Sequence, residues 1–184
     1  MKKLLFPFFA VLLLLAGAGS ALVGCKDPST SFNQAALDRE NKYRVIDDSI
    51  IQAYLARHNY GPGSYTRTDA GLYLVALTAK PEGAVAATGK RVAIKYIGRL
   101  IQQEREDIIF ETSIDGQTLC DCRTYTVGAA PIAGWNQGLP LMHAGERKLL
   151  LVPSYLAYQR NGKQNSIIDP DTPLIFDMEI LSVQ

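Results

Sequence analysis

The chain opens with a long apolar stretch that follows two lysines. Lys2 and Lys3 precede residues 4–24, which contain no charge and end in small residues. A basic start, an apolar centre and a small-residue end are the layout of a secretory signal. The stretch is also long enough to span a bilayer, so an uncleaved membrane anchor is the alternative interpretation.

The residues that end this stretch favour the secretory signal. Leu22-Val23-Gly24-Cys25 resembles the lipobox of bacterial lipoproteins, in which the cysteine is acylated and becomes the new N-terminus. Several acyl chains on one cysteine anchor a protein stably to a membrane. We therefore expect residues 1–24 to be a signal peptide and Cys25 to be lipidated. The protein would then lie in the cell envelope, anchored to a membrane at the periplasmic face or at the cell surface.

The pattern changes twice between Cys25 and the main domain. Residues 25–36 are polar and lack an apolar period, which predicts a flexible tether. Over residues 37–60 apolar side chains recur at helical spacing, and the segment 59–63 then stops the helix. This stripe predicts a helix that either packs on the domain or associates with a second copy into a homodimer. The stripe consists of Ile46, Ile50, Ile51, Tyr54 and Leu55.

Short strands dominate residues 64–184. Apolar or alternating runs at 72–77, 91–97, 148–152 and 174–180 predict strands, and the last run predicts one buried and one wet face. A single helical turn is predicted at 154–158. Short strands with one short helix predict an α+β domain, in which an antiparallel sheet wraps around a short α-helix. The helix at 37–60 is an N-terminal extension to this domain.

Composition narrows the function classes. Hydrophobic residues make up 47% of the 184 residues, which is enough for a core, and the net charge is +1. Without residues 1–24, Lys+Arg falls from 19 to 17 against 18 Asp+Glu, which leaves a net charge of −1. A near-neutral chain does not indicate a nucleic-acid partner. His58 and His143 are the only histidines, so we expect neither a metal nor a cofactor.

A series of motifs runs in order from residue 91 to residue 183. It includes Ile109-Phe110-Glu111-Thr112, Ile132-Ala133-Gly134-Trp135-Asn136 and Val152-Pro153-Ser154-Tyr155-Leu156. In this order the motifs resemble the FKBP-type peptidyl-prolyl cis–trans isomerases. The resemblance implies a twisted antiparallel sheet around a short helix, with an apolar pocket between them. Because the motifs begin near Arg91, we expect this part to fold without the N-terminal helix.

The resemblance also implies roles for particular residues. Trp135 would form the floor of the pocket, and the amide after Ile132 and the hydroxyl of Tyr158 would orient a bound peptide. Glu111 occupies a position where the family usually has Asp. Proline-containing polypeptides would be the clients, and macrolide inhibitors of the family would bind the same pocket. The walls would be formed by Tyr96, Phe110, Ile132, Tyr158, Ile168 and Phe176.

Three functions remain open from the sequence. The first is an isomerase that assists the folding of exported proteins, and the second is an FKBP-like chaperone or binding module with little or no turnover. The third is a purely structural lipoprotein, which the retained aromatic residues disfavour. Glu111 and the altered segment 123–131 keep the binding module under consideration. Cys120 and Cys122 allow an intramolecular disulfide, an intermolecular bridge or two thiols.

Overall fold

A seven-stranded antiparallel sheet forms the centre of the protein. The structure is a computed structural model that describes residues 28–116 and 119–184, with side chains from residue 34 onward. The predicted signal peptide and Cys25 lie outside the described residues. Its strands are β1 (Tyr65–Arg67), β2 (Tyr73–Thr78), β3 (Arg91–Leu100), β4 (Ile109–Thr112), β5 (Arg123–Thr126), β6 (Arg147–Val152) and β7 (Leu174–Val183). They run in the order β1-β2-β6-β7-β3-β4, and β5 also pairs with β3.

A short helix lies against one face of this sheet, as the predicted fold class requires, but a different segment of the chain forms it than the one predicted. The helix is α2 (Ala133–Gly138), whereas the predicted turn at 154–158 is only a 3-10 turn over Ser154–Leu156. Gly134 and Gly138 let α2 approach the sheet, because a Cβ on either would lie 2.5–2.6 Å from a side chain of β6. The same glycines weaken the helical signal in the sequence.

The N-terminal helix α1 (Pro28–Arg57) is longer than predicted. The predicted tether is wrong from Pro28 onward, where proline suits the first turn of a helix because it has no N–H to pair. The helix ends three residues before the predicted end at Tyr60. Asn59 adopts a φ of 58°, and the N–H of Tyr60 donates to the carbonyl of Leu55 at 2.8 Å. This is the hydrogen bond of a Schellman C-cap.

Helix α1 packs on the opposite face of the sheet from α2. Ile51, Tyr54 and Leu55 are buried there in a second core cluster, while Ile46 is 37% exposed. The buried stripe is therefore rotated relative to the predicted one. Packing on the domain explains the burial of Ile51, Tyr54 and Leu55, which form the second half of the predicted stripe. The strand residues of this cluster are Tyr73, Val75, Leu149, Leu151 and Ile175.

Strand β7 shows what this packing changes. The sequence predicts one buried and one wet face, but Leu174 to Met178 are all buried. Ile175 faces the α1 cluster, and Asp177 is held by Arg147 through two hydrogen bonds of 2.8 Å. Strand β3 matches its predicted alternation, with Val92, Ile94 and Tyr96 buried. Of the helices in the described part of the chain, none has the length and apolarity needed to cross a membrane.

Candidate functional site

An aromatic cluster joins α2 to the sheet. The indole ring of Trp135 lies with its centre 4.9 Å from that of Tyr96 and 5.1 Å from that of Phe176. The ring of Tyr125 is also 5.1 Å away, and all three meet the indole at 80–88°. Such edge-to-face contacts are the favoured geometry for aromatic pairs. Helix α2 and strands β3, β5 and β7 each contribute one ring.

All seven apolar residues predicted for the pocket belong to this part of the core. Trp135 is 2% exposed, so it lies at the bottom of the cluster. Phe110 and Tyr158 are only partly buried and lie at its rim. Phe110 meets Phe176 edge to face at 5.5 Å. The buried members are Tyr96, Ile132, Trp135, Ile168 and Phe176.

A glycine makes room for two of these rings. A Cβ on Gly98 would lie 2.6 Å from the ring of Phe110 and 3.1 Å from that of Phe176. Any side chain at this position of β3 would therefore displace both rings.

The loop that precedes α2 is fixed by a side chain of the helix. Asn136 accepts a hydrogen bond from the N–H of Ala130 at 2.8 Å and donates one to its carbonyl at 3.0 Å. These two bonds fix the loop that leads to Ile132.

The carboxylate of Glu111 lies at the edge of the cluster and contacts two polar groups. The hydroxyl of Tyr96 donates to Glu111 Oε1 at 2.7 Å, and Lys163 forms an ion pair with Oε2. Burial alone would raise the pKa of Glu111, but the hydrogen bonds from Lys163 and Tyr96 outweigh it, and the pKa lies below its usual value. Burial, Tyr125 and Glu111 together raise the pKa of Tyr96, which therefore remains a neutral donor. A glutamate thus reaches the Tyr96 hydroxyl despite its extra methylene.

Two residues of the site were not found from the sequence. Tyr125 reaches Trp135 from β5, and its hydroxyl lies 3.4 Å from that of Tyr96. The alternation of Tyr125 with the buried Val127 is a signal that could have identified it. Lys163 lies with its ammonium 5.4 Å from the ring centre of Tyr158. Its contact with Glu111 spans 52 residues, and no local pattern predicts it.

The altered segment 123–131 lies beside this cluster. Arg123, near a position where the family usually has an aromatic residue, forms an ion pair with Asp115. Tyr125 supplies an aromatic ring instead. Just before β5, Cys120 and Cys122 form a disulfide, which selects the first of the three predicted alternatives. Ser113 connects this loop to β3, because its hydroxyl donates to the carbonyl of Asp121 at 2.6 Å and accepts from the N–H of Tyr96 at 2.9 Å.

The fold and the cluster together define a class of protein: an antiparallel sheet around a short helix, with an aromatic floor between them. The model of the FKBP-type peptidyl-prolyl cis-trans isomerase family matches residues 83–181, which is just over half of the chain. The chain therefore belongs to this family.

Known proteins similar to this chain agree with the assignment. FK506-binding protein 5 of Dictyostelium discoideum is 37% identical over 95 residues, which are 51% of this chain and 6% of that protein. The FK506-binding protein of Streptomyces anulatus is 32% identical over 103 residues, which are 55% of this chain and 78% of that protein. The chain spans less than two thirds of the length of the first three curated relatives that it matches. Among solved structures, a peptidyl-prolyl cis-trans isomerase of Pseudomonas syringae is 27% identical with a TM-score of 0.57, over 72% of this chain and 90% of that one.

Proposed function

We propose that the chain is a peptidyl-prolyl cis–trans isomerase that assists the folding of exported proteins and binds their prolines on the aromatic cluster. The observation that carries the proposal is the convergence of five rings from five separate elements. They are Tyr96, Phe110, Tyr125, Trp135 and Phe176. Membership of the isomerase family supports the same reaction. The cluster would hold the proline ring between Phe110 and Tyr158, above Trp135.

Isomerisation of an X–Pro bond requires a dry apolar environment rather than a nucleophile or another reactive side chain. Rotation about the X–Pro bond crosses a barrier of roughly 20 kcal/mol, which amide resonance sets. Resonance separates charge between the carbonyl oxygen and the nitrogen, and the twisted transition state loses that separation. A dry aromatic site therefore favours the twisted amide over the planar, hydrated one.

Polar groups at the rim would orient the peptide. The first N–H groups of a helix have no acceptor within it, so the amide after Ile132, at the start of α2, can donate to a peptide carbonyl. Burial raises the pKa of Tyr158, and its hydroxyl therefore stays protonated and able to donate. These two donors would fix the carbonyls on either side of the twisting bond.

A protease-coupled assay on an X–Pro peptide tests the proposal. Phe110→Ala should lower kcat/KM, because it removes one wall of the site while Trp135 still reports folding. Tyr65→Ala is the matched control, since it removes a partly buried ring that packs on the opposite face of the sheet. A folded wild type that neither accelerates the isomerisation nor binds a macrolide inhibitor of the family would refute the proposal.

A binding module with little turnover is the second candidate. It is favoured by the Lys163–Glu111 ion pair, which places a bridge beside Tyr158 at the rim where the peptide would enter. On this alternative, the wild type would bind an unfolded, proline-containing client in a titration of Trp135 fluorescence but would not accelerate the isomerisation. Trp135 is the only tryptophan of the chain, so the signal comes from the site itself.

The location of the protein follows from residues 1–25 and remains a proposal. The lipobox-like end of the apolar leader supports acylation of Cys25 and anchoring to a membrane outside the cytoplasm. Cys25→Ser should release the protein from the membrane fraction, or leave it as an unprocessed precursor. A Cys25→Ser protein that fractionates with membranes at the same size as the wild type would instead indicate a spanning segment at 4–24.

Self-association through α1 also remains a proposal. Just before Asp47 this helix keeps apolar residues at the surface, among them Val45 at 72% and Ile46 at 37% exposed. A homodimer through this surface should dissociate in Val45→Glu, and sedimentation of the wild type and the variant tests it.

A further inference from the structure

Helix α1 carries a carboxylate on the face that packs against the domain. Asp47 lies one turn before Ile51 on this face, and both residues are 0% exposed. Removing a carboxylate from water is costly unless hydrogen bonds compensate for it. Apolar packing on the sheet accounts for Ile51 but not for Asp47, whose position must be explained by its partners.

The partner of Asp47 is Ser154, 107 residues later. Asp47 Oδ2 accepts hydrogen bonds from the backbone N–H of Ser154 at 2.8 Å and from its hydroxyl at 2.7 Å. Ser154 begins a 3-10 turn, and the preceding Pro153 makes no side-chain hydrogen bond to cap it. Asp47 therefore supplies, from a distant element, the acceptor that a capping side chain usually provides locally.

The turn that Asp47 caps leads into the site. Leu156 is buried in the same cluster as Trp135, and Tyr158 follows two residues later and packs against that cluster. On its outer side the turn is not closely packed, since a cavity of about 610 Å³ lies between it and the first half of α1. On this side the turn is held by the two hydrogen bonds that Asp47 accepts from Ser154 and by one of 2.9 Å from the hydroxyl of Tyr155 to the carbonyl of Ala70. The guanidinium of Arg44 also lies 4.3 Å from the ring centre of Tyr155.

We propose that Asp47 is a positioning residue, which fixes the segment 154–158 so that Tyr158 meets the bound peptide in the right orientation. The inference rests on the proposed function for the role of Tyr158, and it requires no contact between Asp47 and the substrate. It makes α1 part of the site, although this helix lies outside the family segment 83–181.

The electrostatics of Asp47 agree with a role other than stability. Burial raises the pKa of its carboxyl to about 6, and the bonds from Ser154 lower it only in part. Its Oδ1 has no hydrogen-bond partner among the described residues. The titratable groups that interact with it are Tyr43 on α1, Tyr155 on the turn and Asp171 before β7, and the charge of Asp171 raises the pKa further. An apolar side chain would serve packing better than this carboxylate.

Paired variants of α1 test the proposal. Asp47→Asn keeps the shape of the side chain and one acceptor oxygen but removes the negative charge that strengthens both bonds. Asp48→Asn is the matched control, because Asp48 also ties α1 to the sheet, through Arg67 and the hydroxyl of Tyr73, but does not contact the turn. Asp47→Asn should lower kcat/KM about tenfold, mainly through kcat, while Asp48→Asn stays within about twofold of the wild type.

Amide hydrogen exchange gives a readout that does not depend on turnover. In Asp47→Asn, exchange over 154–158 should be about tenfold faster than in Asp48→Asn, at a temperature where both are folded. Ser154→Ala keeps the backbone bond, so its effects should be smaller, and in the Asp47→Asn background it should add little.

The outcomes separate this proposal from the proposed function. Equal exchange over 154–158 in the two Asp→Asn variants overturns it, and so does faster exchange with unchanged kcat/KM, which would mean a merely structural link. A wild type without turnover would refute the proposed function. Faster exchange together with weaker binding of an X–Pro peptide in Asp47→Asn, followed by Trp135 fluorescence, would still support the positioning role.

Discussion

Removing the contact between α1 and the sheet should destabilise the whole domain. Leu55 is 1% exposed and packs on the sheet face opposite to the aromatic cluster. Leu55→Ala should therefore lower the free energy of unfolding by about 2–5 kcal/mol, because it leaves a cavity between helix and sheet. Leu37→Ala is the matched control on the same helix, since Leu37 is 54% exposed, and it should change this free energy by less than about 0.5 kcal/mol.

The magnitude is large compared with the stability of an ordinary domain. Burial of Ile51 and Leu55 contributes about 3–6 kcal/mol together, at about 1.5–3 kcal/mol for each fully buried side chain. A domain of this size is typically stable by only about 5–15 kcal/mol. This packing reverses the expectation from the sequence that the domain folds without the helix. A chain that begins after residue 58 should be unfolded or barely folded, because it would also expose Tyr73 and Ile175 to water.

Urea unfolding followed by Trp135 fluorescence measures the effect. Trp135 is the only tryptophan and lies in the other core cluster, so its emission reports whether loss of the α1 contact reaches the site. We expect one cooperative transition, with its midpoint shifted to lower urea in Leu55→Ala. Equal midpoints for Leu55→Ala and Leu37→Ala would refute the reasoning, as would a chain starting at residue 59 that unfolds like the wild type.

Three further predictions concern single side chains. Glu111→Gln keeps an acceptor for Tyr96 but removes the charge that fixes the ammonium of Lys163. In the protease-coupled assay kcat/KM should therefore fall about three- to tenfold, while the free energy of unfolding changes by less than about 1 kcal/mol. An unchanged kcat/KM would contradict this role of Glu111. Because burial raises the pKa of Asp47 to about 6, the folded state holds its proton more tightly than the unfolded state does. The free energy of unfolding of the wild type, relative to that of Asp47→Asn, should therefore fall as the pH rises from 4 to 7, by at most about 3 kcal/mol in urea titrations. A difference that does not change with pH would contradict the raised pKa of Asp47. Gly134→Ala should lower the free energy of unfolding by about 1–3 kcal/mol, since its Cβ would lie 2.5 Å from the buried Val152. Gly61→Ala is the control, because its Cβ would meet nothing within 4 Å, and it should leave thermal unfolding nearly unchanged.

Much of the sheet and the floor of the site could be predicted from the sequence. Strand β3 alternates Val92, Ile94 and Tyr96 because one of its faces is packed throughout, and period two is a local signal. The resemblance of the motifs to the family implied that Trp135 and Phe110 share one site. The alternation is local and is therefore visible in a single sequence, whereas the shared site depends on what is known of the family.

The features that could not be predicted depend on contacts between distant residues. Helix α2 was missed because Gly134 and Gly138, which let it approach the sheet, also weaken the local helical signal. The wet face expected for β7 is buried because α1, more than 100 residues earlier, covers Ile175. The hydrogen bonds that Asp47 accepts from Ser154 join two buried polar residues 107 positions apart, and no periodic pattern in the sequence predicts them.

The same strands serve both faces of the sheet, and this limits how far the family segment can be treated as independent. On β7, Phe176 is a wall of the aromatic cluster, while the adjacent Ile175 packs toward α1. On β6, Leu150 faces the first cluster and Leu151 the second. A shift of β7 caused by loss of α1 would therefore move Phe176 as well. Segment 83–181 contains neither α1 nor β2. On its own it would keep the aromatic residues of the site but lose the helix that packs on β6 and β7 and the strand that pairs with β6.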